Sequence, residues 1–148
     1  QSWFLDKSLV LEYWSGKGKR SYHHTAPVNS LYALHESLLI LKNEGLENAW
    51  KRHKEMHEKL KAGLESLGMT FVVEENYRLP QLNAVYIPEG VDDVAVRAQL
   101  LNDYNLEIGA GLGSLAGKAW RIGLMGYAAR NENVALCLRA LEQTLEVN

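Results

Sequence analysis

Arg121 is the residue whose setting most demands an explanation. It stands in the run Trp120-Arg121-Ile122-Gly123-Leu124-Met125. Strand alternation puts Trp120, Ile122 and Leu124 on one face and Arg121 with Gly123 on the other. A guanidinium on a strand needs an anion or open water, because burying it unpaired is costly. Its planar fork matches a carboxylate through two parallel hydrogen bonds, and Gly123 beside it leaves space above the sheet. These residue types describe a carboxylate clamp. The plainer reading is a surface arginine whose stem packs on the sheet.

A second group of donors is Tyr22-His23-His24-Thr25. Tyr and Thr hydroxyls, and a protonated His, can all donate to phosphate oxygens. Alternation would pair Tyr22 with His24 and His23 with Thr25, unless the segment turns; the plainer reading is a loop with ordinary hydrogen bonds. Gly109-Ala110-Gly111-Leu112-Gly113 has the look of a phosphate loop, but such a fingerprint needs a strand-to-helix turn. Here the glycines lead through Gly117 into another strand, so we expect a tightly turning loop that could line a pocket. His53 and His57 are four apart on a helix and could share a face. No third ligand and no zinc-protease pattern accompany them, so we assign no metal. Cys137 lies on an apolar helix stripe and reads as core packing.

The elements that must carry these residues follow from periodicity. Residues 3–14 suggest a short helical piece, followed by a flexible basic loop, Ser15-Gly16-Lys17-Gly18-Lys19-Arg20. Pro27 keeps Ala26 extended. Leu31, Leu34, Leu38 and Leu41 then mark a helix with Asn29 as its cap. After Gly45 a second stripe runs Leu46, Trp50, His53, Met56 or His57, Leu60, Leu64 and Leu67, with Gly68 at its C-terminal end. Strands are expected at Met69–Val73, Leu82–Ile87, Leu106–Ile108 and Ala119–Met125. A helix opened by Asp92 or Asp93 should turn Val94, Ala98 and Leu101 inward. The last helix carries Val134, Cys137, Leu138, Leu141 and Leu145, capped by Asn131. This order gives an α+β fold, an open β-sheet with helices packed on it.

The 148 residues have a formal net charge of -2, with 47% hydrophobic and 23% charged residues. That balance is ordinary for a globular protein and lacks the basic excess that nucleic acid or an anionic membrane surface would select. The single cysteine allows no internal disulfide. No apolar run approaches the ~20 residues that span a bilayer. The start, Gln1-Ser2-Trp3-Phe4-Leu5, lacks Met and a polar lead-in, which we read as an interior cut of a longer chain. The end, Leu145-Glu146-Val147-Asn148, lacks a peroxisomal tripeptide, and a cytoplasmic setting is the default expectation.

Several motifs together resemble the class V aminotransferases that include alanine–glyoxylate and serine–pyruvate aminotransferases. They are Ser21-Tyr22-His23-His24-Thr25-Ala26-Pro27-Val28, Ser30-Leu31-Tyr32-Ala33-Leu34-His35-Glu36-Ser37-Leu38, Glu44-Gly45-Leu46-Glu47-Asn48, Arg78-Leu79-Pro80, Gly111-Leu112-Gly113 and Trp120-Arg121-Ile122-Gly123-Leu124-Met125-Gly126. The resemblance covers essentially the whole chain. It implies the C-terminal portion of a homodimeric, fold-type I enzyme dependent on pyridoxal phosphate (PLP). Residues 1–44 would be the last segment of the large PLP-binding domain and 45–148 the small C-terminal domain. Tyr22 and Thr25 match residues that reach the PLP phosphate of the other subunit, and Arg121 matches the arginine that binds the substrate carboxylate. The lysine that forms the Schiff base with PLP lies upstream of the matched portion; Lys7, Lys17 and Lys118 do not match its motif. The fragment alone is therefore expected to be inactive. Ala129 departs from the hydroxyl residue often found there. The implied reaction moves an amino group between a small amino acid, alanine or serine, and an oxo acid, glyoxylate or pyruvate. The competing readings are a non-catalytic domain that binds an amino acid as a regulatory unit, and a structural interaction domain, which would leave Arg121 unexplained.

Overall fold

A computed structural model describes residues 2–14 and 22–147. The expected basic loop at 15–20 lies outside the described residues. The chain divides into two compact units, Gln1–Gly45 and Leu46–Asn148.

In the first unit, 3-10 turns at Trp3–Leu5 and Leu11–Tyr13 flank a single helical turn, α1 (Lys7–Val10). Asp6 caps α1, its Oδ1 accepting from the N–H of Ser8 at 2.9 Å and from its hydroxyl at 2.6 Å. The long helix α2 spans Val28–Glu44. Asn29 does not cap it. Pro27 supplies a φ of -72° and its carbonyl accepts from Leu31, so the helix begins two residues earlier without a side-chain cap. No residue of α2 is buried, and Leu31, Leu34 and Leu38 are exposed.

The second unit is a three-stranded antiparallel sheet, order β1-β3-β2, with helices against one face. Its elements are α3 (Leu46–Ser66), β1 (Leu82–Tyr86), α4 (Asp93–Tyr104), β2 (Gly109–Ala110), β3 (Ala119–Gly123) and α5 (Asn131–Val147). The fold is thus the α+β sheet-and-helix arrangement that the periodicity predicts. Cross-strand partners share a face: Asn83 opposes Ile122, and Val85 opposes Trp120. All four are buried. They meet Met56, Leu60 and Leu64 of α3, Val96 and Leu100 of α4, and Val134 and Leu141 of α5 in one core.

Several expectations shift. The α3 stripe buries Ala49, Met56, His57, Leu60 and Leu64, whereas Leu46 and Trp50 stay exposed. The end of α3 folds back as expected around Gly68: the Met69 N–H returns to Leu64 and the Gly68 N–H to Glu65. On α4 the inward face is Val96 and Leu100, not Val94, Ala98 and Leu101. The reason is that Asp92 caps the helix while Asp93 is tied to the sheet through Trp120, which rotates Val94 outward to 67% exposure. Met69–Val73 lies along β1, donating Val72 N–H to Ala84 O, but makes only an isolated bridge at Phe71–Val85. The strand expected at Leu106–Ile108 pairs at Gly109–Ala110 instead. The Leu106 N–H is still spent on closing α4 onto Leu100, past Asn105 at a φ of +50°. Asn131 is the first residue of α5, and its Oδ1 accepts from Lys59 Nζ at 2.8 Å.

One buried polar chain ties α3 to the sheet. His57 Nδ1–H donates to Asn83 Oδ1 at 2.6 Å, and Asn83 Nδ2 donates to Pro80 O and Ile122 O at 3.3 and 3.4 Å. Both residues are almost fully buried, at 7% and 1% exposure. Asn83→Leu would leave the His57 N–H without a partner in an apolar setting. A loss of about 1–3 kcal/mol in unfolding free energy is expected by urea titration; a variant as stable as the parent would show that the chain contributes nothing.

Candidate functional site

Arg121 sits in the middle of the central strand, β3. Its neighbours across the sheet are Ala84 of β1 and Gly109 of β2. Trp120, Ile122 and Leu124 are buried at 0%, 5% and 3% exposure, so Arg121 projects from the opposite face, where it is half-buried. The guanidinium lies over Gly109: a Cβ built there would stand 3.3 Å from Nη2 and 3.5 Å from Cζ. Arg121 Nε donates to the carbonyl of Ala110 at 2.8 Å. Among the described residues no Asp or Glu pairs with Arg121, and neither Nη makes a hydrogen bond. A cation held in place by its stem and Nε, with a two-donor edge uncommitted, is suited to receive an external anion.

The strand that carries Arg121 is anchored from its buried side. The Trp120 indole N–H donates to Asp93 Oδ1 at 2.8 Å. Arg97, one turn along α4, grips the same carboxylate with Nε to Oδ1 at 2.8 Å and Nη2 to Oδ2 at 3.2 Å. The Arg97 bond, with help from Trp120, holds the Asp93 carboxyl below its usual value.

Beyond β3, α3 holds the turn that follows. Arg52 Nη1 donates to the carbonyls of Gly126 and Ala129 at 2.8 and 3.0 Å. His53 Nδ1–H donates to Ala49 O at 2.6 Å, and its Nε2 accepts the Gly126 N–H at 3.1 Å. His53 and His57 therefore serve different partners despite their helical spacing. The glycine run is a turn: a Cβ on Gly111 would meet the backbone oxygen of Leu115 at 2.0 Å, so only glycine lets the 3-10 turn Gly113–Leu115 fold back there. Cys137 is packed in α5 at 5% exposure, and burial pushes its thiol up to about 12.

In the first unit the segment after residue 21 bends at His23 and His24. Both histidines turn into an aromatic cluster. Trp3 packs on His23 with centroids 3.9 Å apart, and Phe4 on His24 at 4.3 Å. His23 Nε2 donates to Trp3 O at 2.8 Å. The Tyr13 hydroxyl accepts the His24 N–H at 2.9 Å and donates to the His24 carbonyl. Strict alternation therefore fails. Tyr22 and Thr25 are both exposed, one on each side of the anchored pair, and Tyr22 is 66% exposed.

Residues 5–136 match the aminotransferase class-V family. The chain belongs to that family. Alanine–glyoxylate aminotransferase of Callithrix jacchus is 42% identical over 147 residues, 98% of this chain and 36% of the relative. The (S)-ureidoglycine–glyoxylate transaminase of Bacillus subtilis is 39% identical over 96% of this chain and 34% of its own length. Among solved structures, an alanine–glyoxylate aminotransferase from Nostoc sp. superposes with a TM-score of 0.89 at 51% identity, covering 97% of this chain and 38% of that one. The class-V chain described here thus spans about a third of the length of the relatives it matches. Their names are those of transaminases, which favours that reading over a regulatory binding module.

Sequence reasoning missed Asp93 and Arg97 as the anchor of β3, although Asp and Arg at i and i+4 on a helix are a readable pair. It also missed Arg52 and Tyr13, whose roles arise from long-range contacts, and it read Gly109 and Ala110 only as part of a turning loop that could line a pocket. The lowered Asp93 value has a definite consequence. A carboxylate whose folded value is depressed contributes stability that is complete above the usual value of 3.8, and that contribution disappears as pH falls through the folded value. The stability advantage of the parent over Asp93→Asn, read by urea unfolding, is expected to be constant from neutrality to about pH 5 and to shrink below about pH 4. A pH-independent difference would remove Asp93 from the acid response.

Proposed function

We propose that this chain is the C-terminal part of a PLP-dependent aminotransferase, in which Arg121 binds the carboxylate of a small amino acid and of its oxo-acid counterpart. The observation that carries the reading is the uncommitted Nη edge of a half-buried guanidinium with no acidic partner among the described residues. Support comes from the family match and from the glyoxylate transaminases among the relatives. The amino donor is alanine or serine and the acceptor glyoxylate or pyruvate, all of which present the same α-carboxylate.

The donors present fit a phosphate-bearing cofactor. Tyr22 and Thr25 offer two exposed hydroxyls on a bend whose backbone is braced by Tyr13. We assign them to the phosphate of PLP bound by the other subunit of a homodimer. Bound PLP supplies the electron sink for the pair left at Cα when its proton departs. Arg121 orients the substrate: holding the α-carboxylate restricts rotation of the amino acid before proton transfer. We assign the large-domain segment to residues 1–44 and the small domain to 45–148. None of this chain's lysines is given the Schiff-base role, so the 148-residue chain alone is assigned no turnover. We place the enzyme in the cytoplasm; separately, among the described residues no helix is long and apolar enough to cross a membrane.

In the full-length protein, Arg121→Ala is expected to lower kcat/KM at least about tenfold, because a charged bidentate pair contributes on the order of 1.5–3 kcal/mol per bond. Arg121→Lys should recover only part, since an ammonium lacks the fork. PLP absorbance should persist in both. An Arg121→Ala enzyme that converts amino acid like the parent would reduce Arg121 to a surface residue.

Reduction of a mixture of the isolated chain and PLP with borohydride should leave no single lysine stoichiometrically labelled. One such lysine, accompanied by amino-transfer turnover, would overturn the assignment of the missing lysine.

A further inference from the structure

Gly109 and Ala110 stand beside Arg121 on strand β2, and each constrains the guanidinium differently. The geometry points to end-on recognition: the substrate carboxylate meets only the two Nη groups of Arg121, with Ala110 and Gly109 as positioning residues that set this edge. The inference rests on the proposed role of Arg121 and specifies how that role is performed.

A guanidinium can hold a carboxylate by two edges, the side formed by Nε with one Nη or the end formed by both Nη groups. In this structure the side edge is spent, because Nε donates to Ala110 O at 2.8 Å. That acceptor is a backbone carbonyl of β2, a strand held to β3 through the Gly109–Arg121 and Ala110–Trp120 pairs. It cannot swing away as a side chain could. Nη1 and Nη2 remain without partners among the described residues.

Gly109 explains why the guanidinium can reach that carbonyl. It is the residue directly opposite Arg121 across the strand pair. A Cβ there would stand 3.3 Å from Nη2 and 3.5 Å from both Cβ and Cζ of Arg121. An alanine would require a shift of a few tenths of an ångström, whereas a branched side chain would occupy the place where the planar group now lies. On the other side, Ala84 of β1 is the opposed residue, so Arg121 is flanked by the two smallest residue types and lies across β2 rather than standing upright. A glycine in a strand commonly marks a place where another group must approach closely; at Gly109 that group is the guanidinium.

The test uses the full-length protein that contains this chain and propionate, a carboxylate with no amino or oxo group to react. Binding is measured by calorimetry, with unligated Tm and PLP retention measured alongside. Gly109→Val should weaken propionate at least about tenfold and Gly109→Ala by about two- to threefold, a graded loss with Tm and PLP retention kept near the parent's. In a propionate complex solved by crystallography, Nε should still be on Ala110 O and both Nη groups on the ligand. Parent-like affinity in Gly109→Val overturns the inference. So does a loss that merely accompanies a fall in Tm, or a complex with the carboxylate on the Nε edge. Arg121→Ala separates the two levels. If it binds propionate like the parent, the proposed function itself fails; if it loses propionate while Gly109→Val does not, only the role of Gly109 fails.

Discussion

The bond from the Trp120 indole to Asp93 is the contact on which the rest of the second unit depends. Trp120 is fully buried, and a buried indole N–H needs an acceptor to avoid a large desolvation cost. That acceptor stands in the first turn of α4, where the helix dipole also favours a carboxylate, and Arg97 fixes it with two bonds. One contact thereby sets the rotation of α4, choosing Val96 and Leu100 as its buried residues. It also settles which face of β3 is interior. Arg121, the next residue along, must then project from the other face.

A strand that is core on one side and carries the proposed carboxylate clamp on the other makes both faces sensitive to register. Slipping β3 by one residue would put a guanidinium into the apolar core and an indole onto the open face. Register is held by the Asn83–Ile122 and Val85–Trp120 pairs and by the polar chain from His57 through Asn83. Beyond the strand, Arg52 and His53 hold the Gly126–Ala129 turn to α3. The helix that fills the core thus also restrains the chain that follows Arg121.

The first unit uses its donor-rich segment differently. Four polar residues in a row would offer four ligands if the chain were straight. The bend at His23 and His24 instead divides them, two for anchoring and two for display. The histidine rings pack against Trp3 and Phe4, and Tyr13 brackets the His24 backbone from both its N–H and its carbonyl. A braced backbone with outward hydroxyls suits the phosphate role proposed for Tyr22 and Thr25, because hydroxyl donors have little affinity unless they are held in position.

Much of this was legible in the sequence, because it is local. Alternation around Trp120 assigned Arg121 to the open face, periodicity located the helices α2, α3, α4 and α5, and the motif series carried the class-V likeness. What failed was whatever depended on contacts distant in sequence. The buried face of α4 was misread because Val94, Ala98 and Leu101 form as good an apolar stripe as Val96 and Leu100, and only the tie to Trp120 chooses between them. The strand expected at Leu106–Ile108 moved to Gly109–Ala110 because the end of α4 consumes the Leu106 N–H. The Tyr22–Thr25 segment broke alternation because the aromatic side chains of Trp3, Phe4 and Tyr13 draw both histidines inward. Residue types and local spacing by themselves determined which groups could do chemistry and which face of a strand they occupied. Only tertiary packing decided that Arg121 would spend Nε on Ala110, because a hydrogen bond between neighbouring strands exists only after the chain has brought β2 and β3 together.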